Sequence, residues 1–271
     1  MNAFEKIVYF LSATMEKPTL FGAWHFVSLA LALALVAFIV WKFKDCNDKT
    51  LRRILLVFWV IIVLFEVYKQ TVFSLISDGI TADWSYQWYI FPFQFCSTPL
   101  YLLPILIFAP EGKFRNAVVA YMVTFSLFAG LVVMIYPGDV YTSIIGINIQ
   151  TMVHHGLQLV MGVFLAAHNR HRLNKRFFAW AVATFAVLCA VALGLNTIMH
   201  YAKPDVGFNM FYISPFQPCT LPILSDIYTK VPYPVFLIAY VLGFTAVSVV
   251  IYTIEKLAAK ICTKIKHRNG K

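Results

Sequence analysis

The stretch FPFQFCSTPLYLLPILIFA, residues 91–109, decides how the rest of the chain is read. It is apolar and close to the 20 or so residues a helix needs to cross roughly 30 Å of hydrocarbon, yet it holds Pro92, Pro99 and Pro104. A proline inside a helix lacks its own N–H and frees the carbonyl four residues earlier. Read as one helix, Pro99 unpairs the Phe95 carbonyl beside Cys96. Read as a broken one, the helix starts here, with Ser97 or Thr98 as N-cap and Pro99 at the first helical position. Either geometry exposes backbone next to Cys96, and in the second the cysteine faces a helix N-terminus, where the dipole favours a thiolate.

Similar apolar stretches occur on both sides. The chain is 61% hydrophobic and 13% charged over 271 residues, so the bilayer is its solvent. Candidate spans are 23–42, 54–76, 91–109, 114–136, 144–168, 177–200 and 231–254. The expectation is an all-α polytopic bundle of seven transmembrane helices, one integral membrane domain over 1–271. Residues 1–22 form an outer interfacial segment, 23–254 the bundle and 255–271 a basic cytoplasmic tail. Met1 to Met15 carries Glu5 and no apolar core ahead of an A-x-A site, so it does not read as a cleavable signal. Its apolar face of Phe4, Ile7, Val8, Phe10 and Leu11 suits the interface.

Loop cations orient the bundle. Lys42, Lys44, Lys49, Arg52 and Arg53 follow the first span, Lys113 and Arg115 the third, and Arg170, Arg172, Lys175 and Arg176 the fifth. Lys256, Lys260, Lys264, Lys266, Arg268 and Lys271 lie in the tail, against only Lys6, Lys17, Lys203 and Lys230 on the other side. The N-terminus is therefore expected outside and the C-terminus in the cytoplasm. The net charge of +10 is spread over short loops rather than gathered on a soluble face, which argues against nucleic acid. The partners expected are membrane lipids, and the location the cell membrane.

Ionisable groups are costly in hydrocarbon and mark function by default. At a rise of about 1.5 Å per residue, His25, Glu66, Lys69, Gln70, Gln94, Cys96, His154, His155, Gln158, Asn196 and His200 fall near or within the outer half of five spans, which suggests a shared polar cavity. Gln150, His154 and Gln158 share one face of the fifth span, with His155 turned about 100° away. Glu66, Lys69 and Gln70 share a face of the second, and Glu66 with Lys69 makes an ion pair that serves packing as readily as chemistry. Cys46, Cys189 and Cys262 read as small apolar fillers. The five cysteines form no C-x-x-C pair, and adjacent histidines do not put two imidazoles on one helix face, so no metal, haem or other cofactor is expected. The longest loop, 201–230, carries Pro204, Pro215, Pro218 and Pro222. It is expected to fold over the cavity as an aromatic lid, with Asn209 pointing inward among Phe208, Phe211, Tyr212 and Phe216.

The stretch FQFCSTPLYLLPI resembles the "lPlhlCs..lyl.pl" signature of the YwaF family of bacterial integral membrane proteins. GAWHFVSL, MVHHGLQLVMGVFL and GFNMFYISPFQP, similar to that family's "G.NYmfL..pP", follow in the same order, so the resemblance covers residues 25–240. It implies a bundle of about seven helices and, through eukaryotic relatives, acyltransferase chemistry by a Cys and a His. Those roles carry over to Cys96 and to a histidine of the fifth span, where the following glycine favours His155 over His154. The chain departs from the pattern in having Phe-Gln for Leu-His before the cysteine and Met after Asn209, which bears on substrate identity.

The reading that unites these features is an acyltransferase or lipid thioesterase. Cys96 attacks a lipid ester, His155 or His154 moves the proton, Glu66 or Gln70 orients the imidazole, and backbone N–H groups around Ser97 and Thr98 are candidates for the oxyanion hole. The alternative is a transporter or ligand-binding protein, since broken helices and mid-membrane polar groups also make substrate sites.

Overall fold

The computed structural model describes the backbone of residues 1–269 and the side chains of 1–262. The side chains of Lys264, Lys266 and Arg268 and the whole of Lys271, counted above among the cytoplasmic cations, lie outside the described residues. The protein is helical almost throughout. Helix α1 (Ala3–Leu11) is followed by α2 (Ala23–Phe43) and α3 (Asp48–Ser74). After a non-helical stretch come α4 (Pro99–Phe108), α5 (Lys113–Tyr121), a π-helical turn (Met122–Ser126) and α6 (Leu127–Ile135). The chain ends with α7 (Ile145–His168), α8 (Lys175–Ala202), α9 (Leu224–Lys230) and α10 (Tyr233–Asn269).

Five helical stretches are long and apolar enough to cross a membrane: Ala23–Phe43, Lys113–Ile135, Ile145–His168, Lys175–Ala202 and Tyr233–Cys262. The protein is thus a multi-pass membrane protein. The sequence counts two more crossings, 54–76 and 91–109, and these differ from the five. α3 is a 27-residue helix that carries its charged end at Asp48 and a polar stripe at Glu66 to Gln70. The 91–109 stretch is helical only from Pro99 to Phe108, and ten residues rise about 15 Å, half the hydrocarbon thickness. Its remainder is a 3-10 turn (Phe95–Ser97) and irregular chain. The connection after α3 is also no simple short loop. It contains a hairpin of β1 (Leu75–Ser77) and β2 (Ala82–Trp84), with Leu75 opposite Trp84, and then a 3-10 turn (Trp88–Ile90).

α7 is the axis of the bundle. In its most apolar window 83% of residues are buried, against 11% in α2 and 28% in α8 and α10, whose outer faces are free for lipid. Lipid is as apolar as leucine, so the bundle is held by close packing rather than by expulsion of water. Small residues make that possible: a Cβ on Gly130 of α6 would fall 2.7 Å from Gln158 Cβ, and one on Gly162 of α7 would fall 2.6 Å from Leu127 Cβ. α1 is closed by a capping box in which the Asn2 side chain accepts from the Glu5 N–H and Glu5 accepts from the Asn2 N–H. It buries Val8 against Val72 and Ile147 and leaves Phe4, Ile7 and Phe10 exposed, an arrangement suited to the interface.

Candidate functional site

The geometry around Cys96 follows from the broken helix. α4 begins at Pro99, with Thr98 in the N-cap position, but the Thr98 side chain does not cap it. Instead the Thr98 hydroxyl donates to the Phe95 carbonyl at 3.0 Å and accepts from the Tyr121 hydroxyl at 3.1 Å. The carbonyl left for side chains is that of Cys96 itself. It accepts from His154 Nε2–H at 2.9 Å and from Gln158 Nε2–H at 2.7 Å, two residues one turn apart on α7. A buried carbonyl without a partner is costly, so this pair of hydrogen bonds accounts for a His and a Gln at that spacing in a membrane helix.

The second helix of the site is α3. Glu66 Oε1 accepts from Lys69 Nζ at 2.9 Å and from the Gln70 amide, whose nitrogen also donates to the Ile90 carbonyl at 2.8 Å. Glu66 and Lys69 lie near enough to act electrostatically on both Cys96 and His154. His155 turns the other way from His154, with ring centroids 5.2 Å apart, and its Nδ1–H donates to the Thr151 carbonyl at 2.7 Å. The structure therefore brings together Cys96, His154, His155, Gln158, Glu66, Lys69 and Gln70.

Unpartnered atoms set this cluster apart from a satisfied polar core. Glu66 Oε2, Gln70 Oε1, His154 Nδ1, His155 Nε2 and Gln158 Oε1 are all buried without a hydrogen-bond partner. Each histidine donates through its other ring nitrogen to a carbonyl, so the free nitrogen holds a lone pair. All five atoms are then acceptors, and a site of acceptors calls for a ligand or water that donates. Among the described residues no group of His, Cys, Asp and Glu has the arrangement to hold a metal ion. No hydrogen bond among the described residues joins the Cys96 thiol to either imidazole.

Four residues that the sequence assigns to the same depth have other work. His25 joins α2 to α6, its Nε2–H donating to the Met134 carbonyl at 2.9 Å while Nδ1 accepts from the Phe21 N–H at 3.2 Å. His200 stacks on Phe216 with centroids 3.7 Å apart. Gln94 and Asn196 hold the 201–230 segment: Gln94 donates to the Asn209 carbonyl and accepts from the Phe211 N–H, each at 3.0 Å. Asn196 donates to the Met210 carbonyl at 3.0 Å and accepts from its N–H at 2.7 Å. The segment buries Phe208, Met210, Phe211 and Ile213, while the Asn209 side chain bonds within it, to the Pro218 carbonyl and the Ser214 N–H. Asn209 thus shapes the segment and does not reach into the cluster. Phe211 and Tyr212 have positive φ, a strained conformation that these side-chain bonds hold in place.

Sequence reasoning left out Tyr121 and Thr151, which brace Thr98 and His155. A tyrosine and a threonine in apolar helices give little signal by themselves. No curated protein and no solved structure matches the chain. The model of the TMEM164 family, a family of transmembrane proteins, does match it, over residues 20–252, a stretch that takes in every residue of the cluster, and the chain belongs to that family.

Proposed function

We propose that the protein is a membrane acyltransferase or lipid thioesterase working at Cys96. The observation that carries this reading is a cysteine in a broken helix whose carbonyl is held by His154 and Gln158, within a cluster that leaves five buried acceptors on α3 and α7 without partners. In the reaction the thiol sulfur bonds to the carbonyl carbon of a lipid ester, the ester C–O bond breaks, and the thiol proton passes through an imidazole to the leaving alkoxide. A hydroxyl-bearing acceptor, or water, then bonds to the thioester carbonyl carbon, the C–S bond breaks, and the attacking hydroxyl's proton passes through the same imidazole to the departing thiolate, which restores the thiol. Acceptor atoms at His154 Nδ1, His155 Nε2 and Gln158 Oε1 suit a co-substrate that arrives as a hydrogen-bond donor. An apolar groove of about 280 Å³ between α1, α3 and α7, lined by Phe10, Phe65, Tyr68 and Ile149 among others, offers a seat for an acyl chain. The resemblance to the YwaF family supports the same roles for Cys96 and His155. His154 is the histidine bonded to the cysteine's own carbonyl.

Labelling the protein with a lipid-like, thiol-reactive ester tests this. Turnover of the label, lost in Cys96→Ser and in His155→Gln or His154→Gln while the proteins stay folded, is the expected result. A stable adduct at another cysteine, or turnover that survives Cys96→Ser, overturns it.

A second reading, transport, is favoured by one observation. Thr245, Ser248, Tyr252 and Glu255 follow one face of α10 at helical spacing, and their buried polar atoms also lack partners. Uptake of a substrate into vesicles without acyl transfer would select it. For topology we propose seven crossings in the cell membrane, with α3 and the half-length α4 completing the five apolar helices. The N-terminus lies outside and the C-terminus in the cytoplasm. Reporter tags at the two ends found on the same side would refute the odd count.

A further inference from the structure

We propose that a cleft at the start of α3, remote from the Cys96 cluster, binds the headgroup of an anionic phospholipid. The cleft has a volume of about 410 Å³ and is lined by Asp48, Lys49, Arg52, Arg53, Leu56 and Ile107. Its charges are unequal. The Asp48 carboxylate is fully engaged by two guanidiniums, Oδ2 accepting from Arg52 Nε at 2.6 Å and Oδ1 from the buried Arg115 at 2.6 Å. Lys49 and Arg53 are exposed and have no acidic partner among the described residues. The lining residues alone therefore carry a surplus of positive charge, while Arg115 behind them is balanced by Asp48 and by Glu111 at 3.9 Å.

Arg52 is also held in place. Its Nε–H goes to Asp48 and one Nη1–H to the Ile107 carbonyl, so three of a guanidinium's five donors stay uncommitted among the described contacts. A fixed guanidinium with spare N–H groups matches two oxygens of a phosphate, with Lys49 and Arg53 as flexible charges around it.

The same cleft has an apolar side, Leu56 and Ile107, and the helix surfaces beside it expose Val57, Phe108 and Phe114, as a lipid-facing boundary does. Trp41, at the adjoining end of α2, is 76% exposed, the position of an aromatic belt. Cations above and hydrocarbon below is the layering of a phospholipid, phosphate outward and acyl chains inward. A free phosphate has no use for the apolar wall. Loop cations near a membrane surface are ordinarily diffuse attractors. A fixed arginine inside a cleft makes this cluster a site.

The test uses the full chain in phosphatidylcholine vesicles with spin-labelled phosphatidylglycerol or spin-labelled phosphatidylcholine as probe. The fraction of immobilised label gives the preference for the anionic lipid. We expect the wild type to prefer phosphatidylglycerol, and K49Q/R53Q to weaken that preference by about fivefold for each cation removed. Neither side chain makes a contact the fold needs, so the double variant should keep the wild-type unfolding midpoint. K175Q/K260Q removes as much charge elsewhere and should weaken the preference clearly less. Absence of a preference in the wild type, or equal loss in both double variants, overturns the proposal. Displacement of the lipid by soluble glycerol phosphate also overturns it, because the site would then recognise a free anion.

Discussion

Replacing Gly130 with alanine tests the packing that positions the α7 members of the polar cluster, His154, His155 and Gln158. The added Cβ would lie 2.7 Å from Gln158 Cβ and 2.8 Å from both the His155 carbonyl oxygen and the Leu159 nitrogen. Carbon atoms in contact prefer about 3.5–4.0 Å, and two of the three neighbours are backbone, so no rotamer change relieves the clash. α6 and α7 must part by roughly an ångström there, and overpacking of that kind costs about 1–3 kcal/mol. Alanine also gains about 1 kcal/mol over glycine in a helix, which hides part of the cost. Gly194→Ala isolates it. Gly194 sits in α8 with nothing within 4 Å of its Cβ position, so that variant takes the same propensity gain without a clash. The unfolding midpoints of the two variants in detergent should differ by an amount equivalent to about 1–3 kcal/mol, with Gly130→Ala the less stable. Because His155 and Gln158 shift with α7, Gly130→Ala should also change the rate at which the lipid-like probe labels Cys96, while Gly194→Ala should not. Equal midpoints and equal labelling rates would refute the argument that this glycine sets the distance between the helices.

Two further outcomes follow from single contacts. Partial burial pushes the Asp48 carboxyl up, but the hydrogen bonds and charges of Arg52 and Arg115 outweigh it and hold the group below its ordinary value of 3.8. Its stabilising contribution is thus fully present above that value and lost as pH falls through the lower folded one; unfolding midpoints measured across this acid range should decline in the wild type and stay flatter in Asp48→Asn. Asn196→Ala removes the partners of both polar groups of Met210, each worth about 1–3 kcal/mol when left unpaired in the interior. The 201–230 segment should loosen, and the now buried Cys219 should react with a water-soluble maleimide several-fold faster; an unchanged rate would mean that Gln94 alone holds the segment.

Much of the architecture is legible in the residues because the bilayer leaves a chain few choices. Long apolar runs must satisfy their own backbone and so form helices, and Pro99 cannot donate the bond that would continue a helix through Cys96. The amphipathic N-terminal helix follows from such local rules, and they admit the break beside Cys96 alongside a kinked helix, whereas the inward-pointing Asn209 expected of 201–230 instead bonds within its own segment. Position along each helix is legible too, since it grows by a fixed rise per residue. Azimuth is not. Which of the polar residues at one depth meet depends on how each helix is rotated and how closely its neighbours approach, and that is settled by contacts such as Gly130 against α7. Only the tertiary structure sends His25 to the Met134 carbonyl, His200 to Phe216, and Gln94 and Asn196 to the 201–230 backbone. It alone turns His154 and Gln158 onto the Cys96 carbonyl, and it alone leaves five buried acceptor atoms on α3 and α7 without a donor, because a hydrogen bond requires both partners within about 3 Å and sequence spacing specifies neither the partner nor the distance.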